Sequence, residues 1–538
     1  MGNTIKTMST RHLRTHELTH GQKLMIMGAV LMALFLGSLD QTVVGTALPK
    51  IVTDLGGNNL YVWVVTAYLL TSTITVPIYG KLSDLYGRKV MLLIGIGIFL
   101  TGSALSGLSQ NMGELIAFRG LQGIGAGALF PVSLAVIGDL FSPRERGKYQ
   151  GLFGAVFGLS FLVGPFLGGY ITDTIGWHWV FYVNVPIGIV AFATISWLLS
   201  NHSVAKHIVI DWWGIGVFVL AIVPILLGLT EMGLTNSQGQ LNQITAPLTG
   251  GLILLGLVLA GLFIWIESRA SDPIVPVRMF RSRSFACSNL AVFVLAFGMF
   301  SAIIFLPRYF QAALGISATA SGYQVWPMLI GLMGMSILTG FLISHTGKYK
   351  LLLIISPIIL LSGMWLATGL SLTTPRVELW GWLALIGLGL GPSMSGYTLI
   401  VQGTIKRSDM GVGTSTLTFM RQIGGTVGLA ITGTLFANNF VATLPQQLRI
   451  LHIPSAVAHQ LATANNSGIT GVGNSGAAAL HIVNANAILL AAHRALSLAI
   501  GQSFWLGVAA AMVAIGLALL IPELPLRSHN DGPVVMGG

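Results

Sequence analysis

The chain has 538 residues, of which 54% are hydrophobic and only 8% are charged, and its mean hydropathy is +0.81. About a quarter of the residues are charged in soluble domains, so this composition excludes a soluble protein and predicts an integral membrane protein. The 27 basic residues exceed the 16 acidic ones, but they are scattered between long apolar stretches, which argues against a nucleic-acid-binding surface. A single cysteine, Cys287, excludes an internal disulfide framework and a multi-cysteine metal site.

Apolar segments follow one another along almost the whole chain. A helix that crosses a bilayer needs about 20 predominantly apolar residues, and fourteen segments meet that length. The first of them follows a polar, basic N-terminus and has no small-residue cleavage site, so we expect a first transmembrane helix and no signal peptide. The spans are placed at 24–48, 60–79, 90–109, 112–137, 150–171, 178–199, 212–231, 246–266, 286–306, 322–343, 351–370, 378–401, 412–437 and 500–521.

Lysine and arginine are distributed unevenly between the two ends of these spans. With the N-terminus inside, 20 of the 27 basic residues fall on the same side, five fall on the other side, and Arg119 and Arg421 lie within spans. Cytoplasmic loops of membrane proteins carry the excess of Lys and Arg. We therefore expect both termini in the cytoplasm, in a multi-pass protein of a bacterial plasma or inner membrane.

A charged decapeptide between the second and third spans has a weaker echo later in the chain. Gly80 begins GKLSDLYGRK, and Gly340, 260 residues later, begins GFLISHTGKYK. The first and ninth spans are separated by nearly the same interval, 262 residues. This repeat predicts an all-α membrane fold of two six-helix bundles with two additional central helices. The expected division is 1–23 cytoplasmic segment, 24–200 N-terminal bundle, 201–284 two extra helices with linkers, 285–521 C-terminal bundle with an extracellular loop near 438–499, and 522–538 cytoplasmic tail.

One carboxylate and two arginines are embedded in the spans, where ionisable groups are costly and usually mark transport pathways or proton relays. The helical rise places Asp40 and Arg119 each roughly 12 Å below the outer boundary, so the two can form an ion pair. Such a pair favours the charged carboxylate, and separating the two groups changes its affinity for a proton. Two interpretations stay open: a proton-coupling site, or a static bridge between helices. Gln122 lies on nearly the same helical face as Arg119 and is expected to hold the guanidinium or to touch a ligand.

Arg421 lies near mid-depth in its span without an obvious carboxylate partner. Three alternatives stay open for it: contact with an anionic ligand group, pairing with a backbone terminus, or packing by carbonyl oxygens. Aromatic side chains within the spans are candidates for an apolar binding pocket, although such side chains also commonly face lipid or pack. The aromatic candidates are Phe157, Phe161, Phe297, Phe300, Trp326 and Phe419.

Five stretches resemble motifs of one transporter superfamily. The major facilitator superfamily has a G-x-L-a-D-r-x-G-r-k loop after its second helix, which GKLSDLYGRKVML at 80–92 resembles. Its fourth-helix pattern is similar to LIAFRGLQGIGAGA at 115–128, and its exporter pattern G-P-x-x-G-G is similar to GLSFLVGPFLGGY at 158–170. Its fourteen-helix drug:proton antiporters have first- and sixth-helix patterns that resemble LDQTVVGTALPKI at 39–51 and GWHWVFYVNVPIG at 176–188. The resemblance covers essentially all of the spans.

The resemblance implies roles for two sets of residues. One set belongs to the fifth helix and permits close packing and bending during transport. Its members are Gly158, Gly164, Pro165, Gly168 and Gly169. The other set forms a conformational latch, in which Asp84 faces the positive end of a helix that begins near Gly411. In the same latch Arg88 pairs with Asp139. The latch set comprises Gly80, Asp84, Gly87, Arg88, Lys89 and Asp139.

These features together predict a proton-coupled secondary exporter of lipophilic, cationic or neutral drugs that works by alternating access. The chain has no G-x-x-x-x-G-K-[ST] phosphate loop and no H-E-x-x-H motif, so we expect neither ATP-driven transport nor metalloprotease activity. We expect no enzyme activity, no metal and no cofactor; the proton gradient supplies the energy. The expected partners are a small lipophilic substrate, protons and the lipid bilayer, with a monomeric transport unit. Three alternatives stay open: export of a specific metabolite, lipid or peptide, uptake by symport, and a non-transporting membrane sensor.

Overall fold

A computed structural model describes residues 19–56, 60–199, 211–232, 246–270, 273–450 and 485–523. All the regular secondary structure in these ranges is helical. A helix satisfies every backbone hydrogen bond within its own segment, which is the requirement that a lipid environment imposes on long apolar segments. Fourteen helical segments of the described chain are long and apolar enough to cross a bilayer, which confirms the predicted number of crossings.

The first half of the chain contains six of these crossings, because α6 and α7 are separated by a single residue and form one crossing together. The helices are α1 His20–Leu55, α2 Tyr61–Tyr86, α3 Arg88–Leu108, α4 Met112–Leu140, α5 Pro143–Thr174, α6 His178–Tyr182 and α7 Asn184–Leu198. Two further crossings follow, α8 Trp212–Glu231 and α9 Pro247–Glu267.

The last six crossings form the second half of the chain. Its helices are α10 Arg283–Arg308, α11 Ala318–Gln324, α12 Trp326–Thr346, α13 Lys350–Ala367, α14 Arg376–Thr404, α15 Met410–Ile450, α16 Ala485–Ser503 and α17 Trp505–Leu520. The ninth crossing continues from α10 through a π-helical turn, Tyr309–Ala313, and α16 and α17 share the last crossing.

Several helices extend beyond their predicted spans. Helix α1 continues to Leu55, beyond the predicted end at residue 48, and α15 continues to Ile450, although residue 437 was the predicted end. The last crossing begins with α16 at Ala485, fifteen residues before its predicted start. The expected extracellular loop at 438–499 is therefore helical at both ends. Residues 451–484, the N-terminal residues 1–18 and the tail 524–538 lie outside the described residues.

Each half has its own hydrophobic core, and the two extra helices pack beside both halves. Side chains of α8 and α9 form a small cluster with α2 and α15. In that cluster the Phe218 ring of α8 lies 5.3 Å from the Phe419 ring of α15 and 5.2 Å from the Phe263 ring of α9. The opposite face of α9 exposes apolar side chains such as Leu254 and Val258, as a lipid-facing helix does.

The two halves meet through α2 with α15 and through α5 with α12. Gly80 of α2 lies so close to α15 that an added Cβ would overlap Ser415 Oγ and would lie 2.8 Å from the Gly411 carbonyl oxygen. Gly340 of α12 lies equally close to α5, because an added Cβ would overlap the Gly147 carbonyl oxygen. The two glycines that begin the repeated sequence segments therefore make equivalent contacts, each between the two halves.

Candidate functional site

Asp40 lies deep inside the first crossing. It is 20 residues from the start of α1 and 15 from its end, and its exposed fraction is 1%. Every other acidic residue in the described helices lies within three residues of a helix end. Its position therefore sets Asp40 apart from all other carboxylates that the structure describes.

The carboxylate of Asp40 forms the ion pair that its depth predicted. Arg119 Nη1 of α4 lies 2.6 Å from Asp40 Oδ2, and both side chains are almost fully buried. Gln122, one turn further along α4, donates from Nε2 to Asp40 Oδ1 at 2.8 Å and accepts from Arg119 Nη1 at 2.7 Å. One helix face thus supplies both the countercharge and a neutral donor. Helix α4 presents this face at the right depth because Asn111 caps its start, accepting from the Glu114 backbone N–H.

A third donor, Asn184, was not predicted from the sequence. Its Nδ2 lies 3.1 Å from Asp40 Oδ1 and 3.1 Å from Ser103 Oγ, and the side chain is fully buried. Ser103 Oγ in turn donates to the Phe181 carbonyl oxygen at 2.8 Å. The sequence held one signal for Asn184, an amide side chain within an apolar crossing. A buried polar group of this kind needs a hydrogen-bond partner, which could have pointed to a neighbouring polar site.

The guanidinium of Arg119 is also held from its other side. Its Cζ lies 4.2 Å from the centre of the Tyr68 ring, a cation–π distance, and its Nε donates to the Val64 carbonyl oxygen at 3.4 Å. The Tyr68 hydroxyl donates to the Gly37 carbonyl oxygen of α1 at 3.3 Å. Helices α1, α2 and α4 are therefore joined around the Asp40–Arg119 pair.

The fifth-helix glycines place α5 against the helix that carries Asp40. Added Cβ atoms on Gly164 and Gly168 would overlap the hydroxyl oxygens of Thr42 and Thr46 on α1. Ser160 Oγ lies 2.6 Å from Ser38 Oγ on the same face. The predicted close packing of these two glycines is present.

The other members of the fifth-helix set differ in their surroundings. Gly158 faces the second half, since an added Cβ would overlap the Met333 side chain of α12. Gly169 was predicted to allow close packing, and this prediction is wrong, because no heavy atom lies within 4 Å of an added Cβ. The next residue after Gly168 points about 100° away around the helix, so it leaves the contact with α1. Pro165 lies inside α5.

The predicted latch contacts of Asp84 and Arg88 are present. Asp84 accepts hydrogen bonds from the Gly411 and Val412 backbone N–H groups, each at 2.9 Å, at the start of α15. A carboxylate at this end of a helix meets unpaired N–H groups and the positive end of the helix dipole. Arg88 forms ion pairs with Asp84 and with Asp139, the latter at 3.1 Å from Nε to Oδ2.

Two further latch candidates behave differently from each other. Gly87 connects α2 to α3 with φ of 96°, a conformation that favours glycine, as its turning role requires. Lys89 donates from Nζ to the Ser196 carbonyl oxygen at 2.6 Å, near the end of α7 in the same half. The side chain is therefore directed along the surface of its own bundle, and its part in the latch stays a prediction.

A second polar contact between the halves lies near the latch and was missed by sequence reasoning. Gln150 Nε2 of α5 donates to Gln402 Oε1 of α14 at 2.5 Å. Gln402 Nε2 donates to the Leu134 carbonyl oxygen of α4 at 3.1 Å. A glutamine inside an apolar span is weak evidence by itself, and only the fold shows that these two meet.

The aromatic candidates fall into three groups. Phe157 and Phe161 have ring centres 4.9 Å apart on α5 and pack against the core of the second half, so they lie where the halves meet. Phe297 and Phe300 of α10 fill the space beside glycines of α15.

The remaining two aromatic candidates lie away from this interface. Phe419 faces α8 as described above, and Trp326 is the first residue of α12 with 39% of its surface exposed. These two side chains therefore lie apart from the other four, and their part in a binding pocket stays a prediction.

Arg421 lies 11 residues into α15 and is only partly buried. Its Nη2 donates to the Ser393 carbonyl oxygen of α14 at 3.4 Å. No carboxylate of the described residues forms an ion pair with it, in contrast to Arg119. The sequence left open a ligand contact, a backbone terminus or packing by carbonyl oxygens for Arg421. Of these, the structure contains one contact with a carbonyl oxygen.

The family of the chain follows from its sequence as well as from this fold. Residues 30–429 match the family model of the Major Facilitator Superfamily. The multidrug transporter protein MdtP of Bacillus subtilis (strain 168) is 41% identical over 417 residues, which cover 78% of this chain and 76% of that protein. Multidrug resistance protein 3 of the same organism is 37% identical over 422 residues, which cover 78% of this chain and 81% of that protein.

Solved structures show the same fold at low sequence identity. The proton:xylose symporter XylE has a TM-score of 0.59 and 14% identity, with 95% of this chain and 98% of that chain covered. The human organic anion transporter MFSD10 has a TM-score of 0.58 and 14% identity, with 91% of this chain and 99% of that chain covered. The chain belongs to the Major Facilitator Superfamily. It is a multi-pass membrane transporter, and not an enzyme.

Proposed function

We propose that this protein is a proton-coupled exporter of lipophilic compounds that works by alternating access. The observation that carries the proposal is Asp40, a fully buried carboxylate at mid-depth that an arginine and two amides hold. Ionisable groups at such depth are retained where they carry a function. Export is favoured over uptake by the sequence similarity to one protein named a multidrug transporter and to another named a multidrug resistance protein.

Protonation of Asp40 supplies an energy difference between conformations. A proton on the carboxylate weakens its ion pair with Arg119 and leaves the guanidinium of α4 without a full countercharge. Helix α4 also contacts the second half, where Thr414 Oγ1 donates to the Pro131 carbonyl oxygen at 3.3 Å. Proton binding therefore changes the interaction between α1 and a helix that contacts the opposite half. A ligand shifts a conformational equilibrium only through such a difference.

We propose that the latch closes one side of the protein. Asp84 binds backbone N–H groups of α15, and Gln150 meets Gln402 on the same side. We propose that this side faces the cytoplasm, where the excess of basic residues lies. A compound then enters from the cytoplasm or inner leaflet after these contacts open, and proton entry from the opposite side favours its release.

The test replaces the carboxylate by a group of the same shape that cannot take up a proton. Asp40→Asn should abolish accumulation of the neutral probe N-phenyl-1-naphthylamine in inside-out proteoliposomes with an acidic lumen. The amount of purified, reconstituted protein should stay unchanged, because Asn can still accept from Gln122 and Asn184. Asp173→Asn, which alters an exposed carboxylate near the end of α5, is the matched control and should transport normally. Undiminished proton-driven accumulation by Asp40→Asn would rule out this coupling site.

A further inference from the structure

Arg421 is a charged group whose hydrogen-bonding capacity is mostly unused. A guanidinium has five N–H donors, and the structure gives this one a single hydrogen bond of 3.4 Å, to the Ser393 carbonyl oxygen. That distance is longer than the usual range of about 2.7–3.2 Å. No described carboxylate pairs with it. Arg119, by comparison, contacts a carboxylate, an amide oxygen, a carbonyl oxygen and an aromatic ring.

The helical register directs Arg421 toward the first half of the molecule. Arg421 follows Thr414 by seven residues, nearly two full turns, so the two side chains share one face of α15. Thr414 on that face donates to the Pro131 carbonyl oxygen of α4. One turn earlier, the Met410 sulfur would lie 3.1 Å from a Cβ on Gly138, so α4 and α15 run antiparallel at this contact. Arg421 therefore lies on the face that meets the other half.

The same register gives its depth relative to the Asp40 site. Arg421 lies about 10 Å further from the latch side than Thr414 along α15. Gln122 lies about 13 Å further from the latch side than Pro131 along α4. Since Thr414 and Pro131 are in contact, Arg421 and Gln122 differ in depth by only about one helical turn. The free guanidinium and the Asp40 network thus lie at similar depth on opposite halves.

Apolar residues of α14 and α5 lie next to Ser393, the residue that accepts from Arg421. Ser393, which accepts from Arg421, precedes Met394, and the Met394 Cβ lies 3.4 Å from the position of a Cβ on Gly154 of α5. Phe157 follows Gly154 by one turn on α5 and packs against the second half. A single cation beside aromatic and aliphatic side chains is the surrounding that an amphiphilic anion requires.

The charge of this region favours negative ligands. Asp40 and Arg119 neutralise each other, which leaves the positive charge of Arg421 uncompensated by described residues. Protonation of Asp40 makes the region more positive still. A lipophilic cation would meet repulsion in both protonation states, whereas a neutral or anionic compound would not.

We infer that Arg421 binds an anionic or strongly hydrogen-bond-accepting group of the exported compound, so that the protein selects anionic and neutral amphiphiles over lipophilic cations. Carboxylate, sulfonate and phosphate groups all match the planar donor pair of a guanidinium. The inference rests on the proposed function, since it names the substrate class of that transporter. The inferred substrates, anionic and neutral amphiphiles, differ from the cationic drugs that the sequence analysis also expected.

The experiment compares two probes that differ by one charged group. N-phenyl-1-naphthylamine is neutral, and 8-anilinonaphthalene-1-sulfonate carries a sulfonate on the same ring system; tetraphenylphosphonium serves as the lipophilic cation. Dissociation constants are measured by equilibrium dialysis with the purified full-length protein in detergent. Arg421→Gln should weaken binding of the sulfonate about tenfold or more, because a hydrogen bond to a charged group is lost. Binding of the neutral probe should change less than about threefold by the same reasoning.

Two further variants separate a charge effect from a folding defect. Arg421→Lys keeps the charge and should retain most of the preference for the sulfonate, although it loses the planar donor pair. Arg494→Gln, which alters an exposed arginine of α16, should bind all three probes as the unaltered protein does. Equal loss of both naphthyl probes in Arg421→Gln, or tighter binding of tetraphenylphosphonium than of the sulfonate by the unaltered protein, would overturn the inference.

The outcomes distinguish this inference from the proposed function. One outcome is proton-driven transport that depends on Asp40 and yet proceeds equally for neutral, anionic and cationic probes. That outcome would support the proposed exporter and would refute the role of Arg421. Charge-selective binding that depends on Arg421, without any transport driven by a pH gradient, would support the binding site and refute proton coupling.

Discussion

At the scale of single residues, three side chains from two other helices hold the carboxylate of Asp40. Gln122 and Asn184 both donate to Oδ1, while Arg119 occupies Oδ2. The carboxylate of α1 is therefore tied to α4 and α7 by three side chains.

Removing one neutral donor should shift the pH dependence of transport. Asn184→Leu preserves side-chain size and deletes the hydrogen bond to Asp40. Under the proposed coupling, loss of this hydrogen bond should raise the pH at which transport is half-maximal by about one unit, the equivalent of about 1.4 kcal/mol. The measurement is the initial transport rate in proteoliposomes over a range of external pH.

A buried asparagine of the second half provides the control for this change. Asn289 is fully buried, and its Nδ2 donates to the Phe285 carbonyl oxygen one turn earlier in the same helix. Asn289→Leu should leave the pH profile where it is. An unchanged profile in Asn184→Leu would favour a static bridge between Asp40 and Arg119 over a proton-coupling site.

At the scale of helices, glycines control how closely the halves approach. Gly80 with α15 and Gly340 with α5 form equivalent contacts, although the repeated segment around Gly340 carries Ser344 and His345 where the first carries Asp84. The contact made by the glycine is thus repeated in both halves, whereas the carboxylate that binds a helix start occurs in the first segment only.

Enlarging one of these glycines should slow the conformational cycle. Gly340→Val would place its side chain against the Gly147 backbone, which cannot move aside as a flexible side chain can. Overpacking of this kind costs about 1–3 kcal/mol, so the initial transport rate should fall about tenfold through destabilisation of the closed state. The dissociation constants of the naphthyl probes should change little, because Gly340 does not lie at Arg421.

The matched control lies on the same helix. Gly334 of α12 has no heavy atom within 4 Å of an added Cβ, so Gly334→Val tests the effect of valine without the contact. It should transport at nearly the rate of the unaltered protein. Equal rates for the two valine variants would show that closure at Gly340 does not limit the cycle.

At the scale of the whole molecule, the proposed coupling determines how much charge moves in each cycle. If Asp40 carries one proton inward for each neutral compound exported, one positive charge moves inward, so transport of a neutral compound should respond to membrane potential. A potential of about 60 mV, negative on the side of the latch, should support about a tenfold gradient of the neutral probe without any pH gradient, since 100 mV is worth about 2.3 kcal/mol per charge.

This prediction can be measured with potassium diffusion potentials set by valinomycin in proteoliposomes. An anionic compound should respond more steeply than a neutral one, because two charges then move inward together. A neutral probe that accumulates independently of the potential would mean that a second charge compensates the proton.

The amino-acid sequence by itself determined the fourteen crossings, since an apolar helix of sufficient length is the only way for these segments to satisfy their backbone in lipid. It also determined the pair of Asp40 and Arg119, because counting helical rise from the span ends gives equal depth. The latch contacts followed from motif resemblance together with the location of the charges.

Only the tertiary structure decided which neutral groups complete these sites. Asn184 and the pair of Gln150 and Gln402 meet their partners across helices far apart in sequence, and no local pattern fixes helix rotation. The same reason explains why the neighbours of Lys89 and Phe419 were not predicted, since sequence spacing does not identify them. Depth in the membrane is a property of one helix, and can be read along the chain, whereas partners across helices depend on how the helices pack.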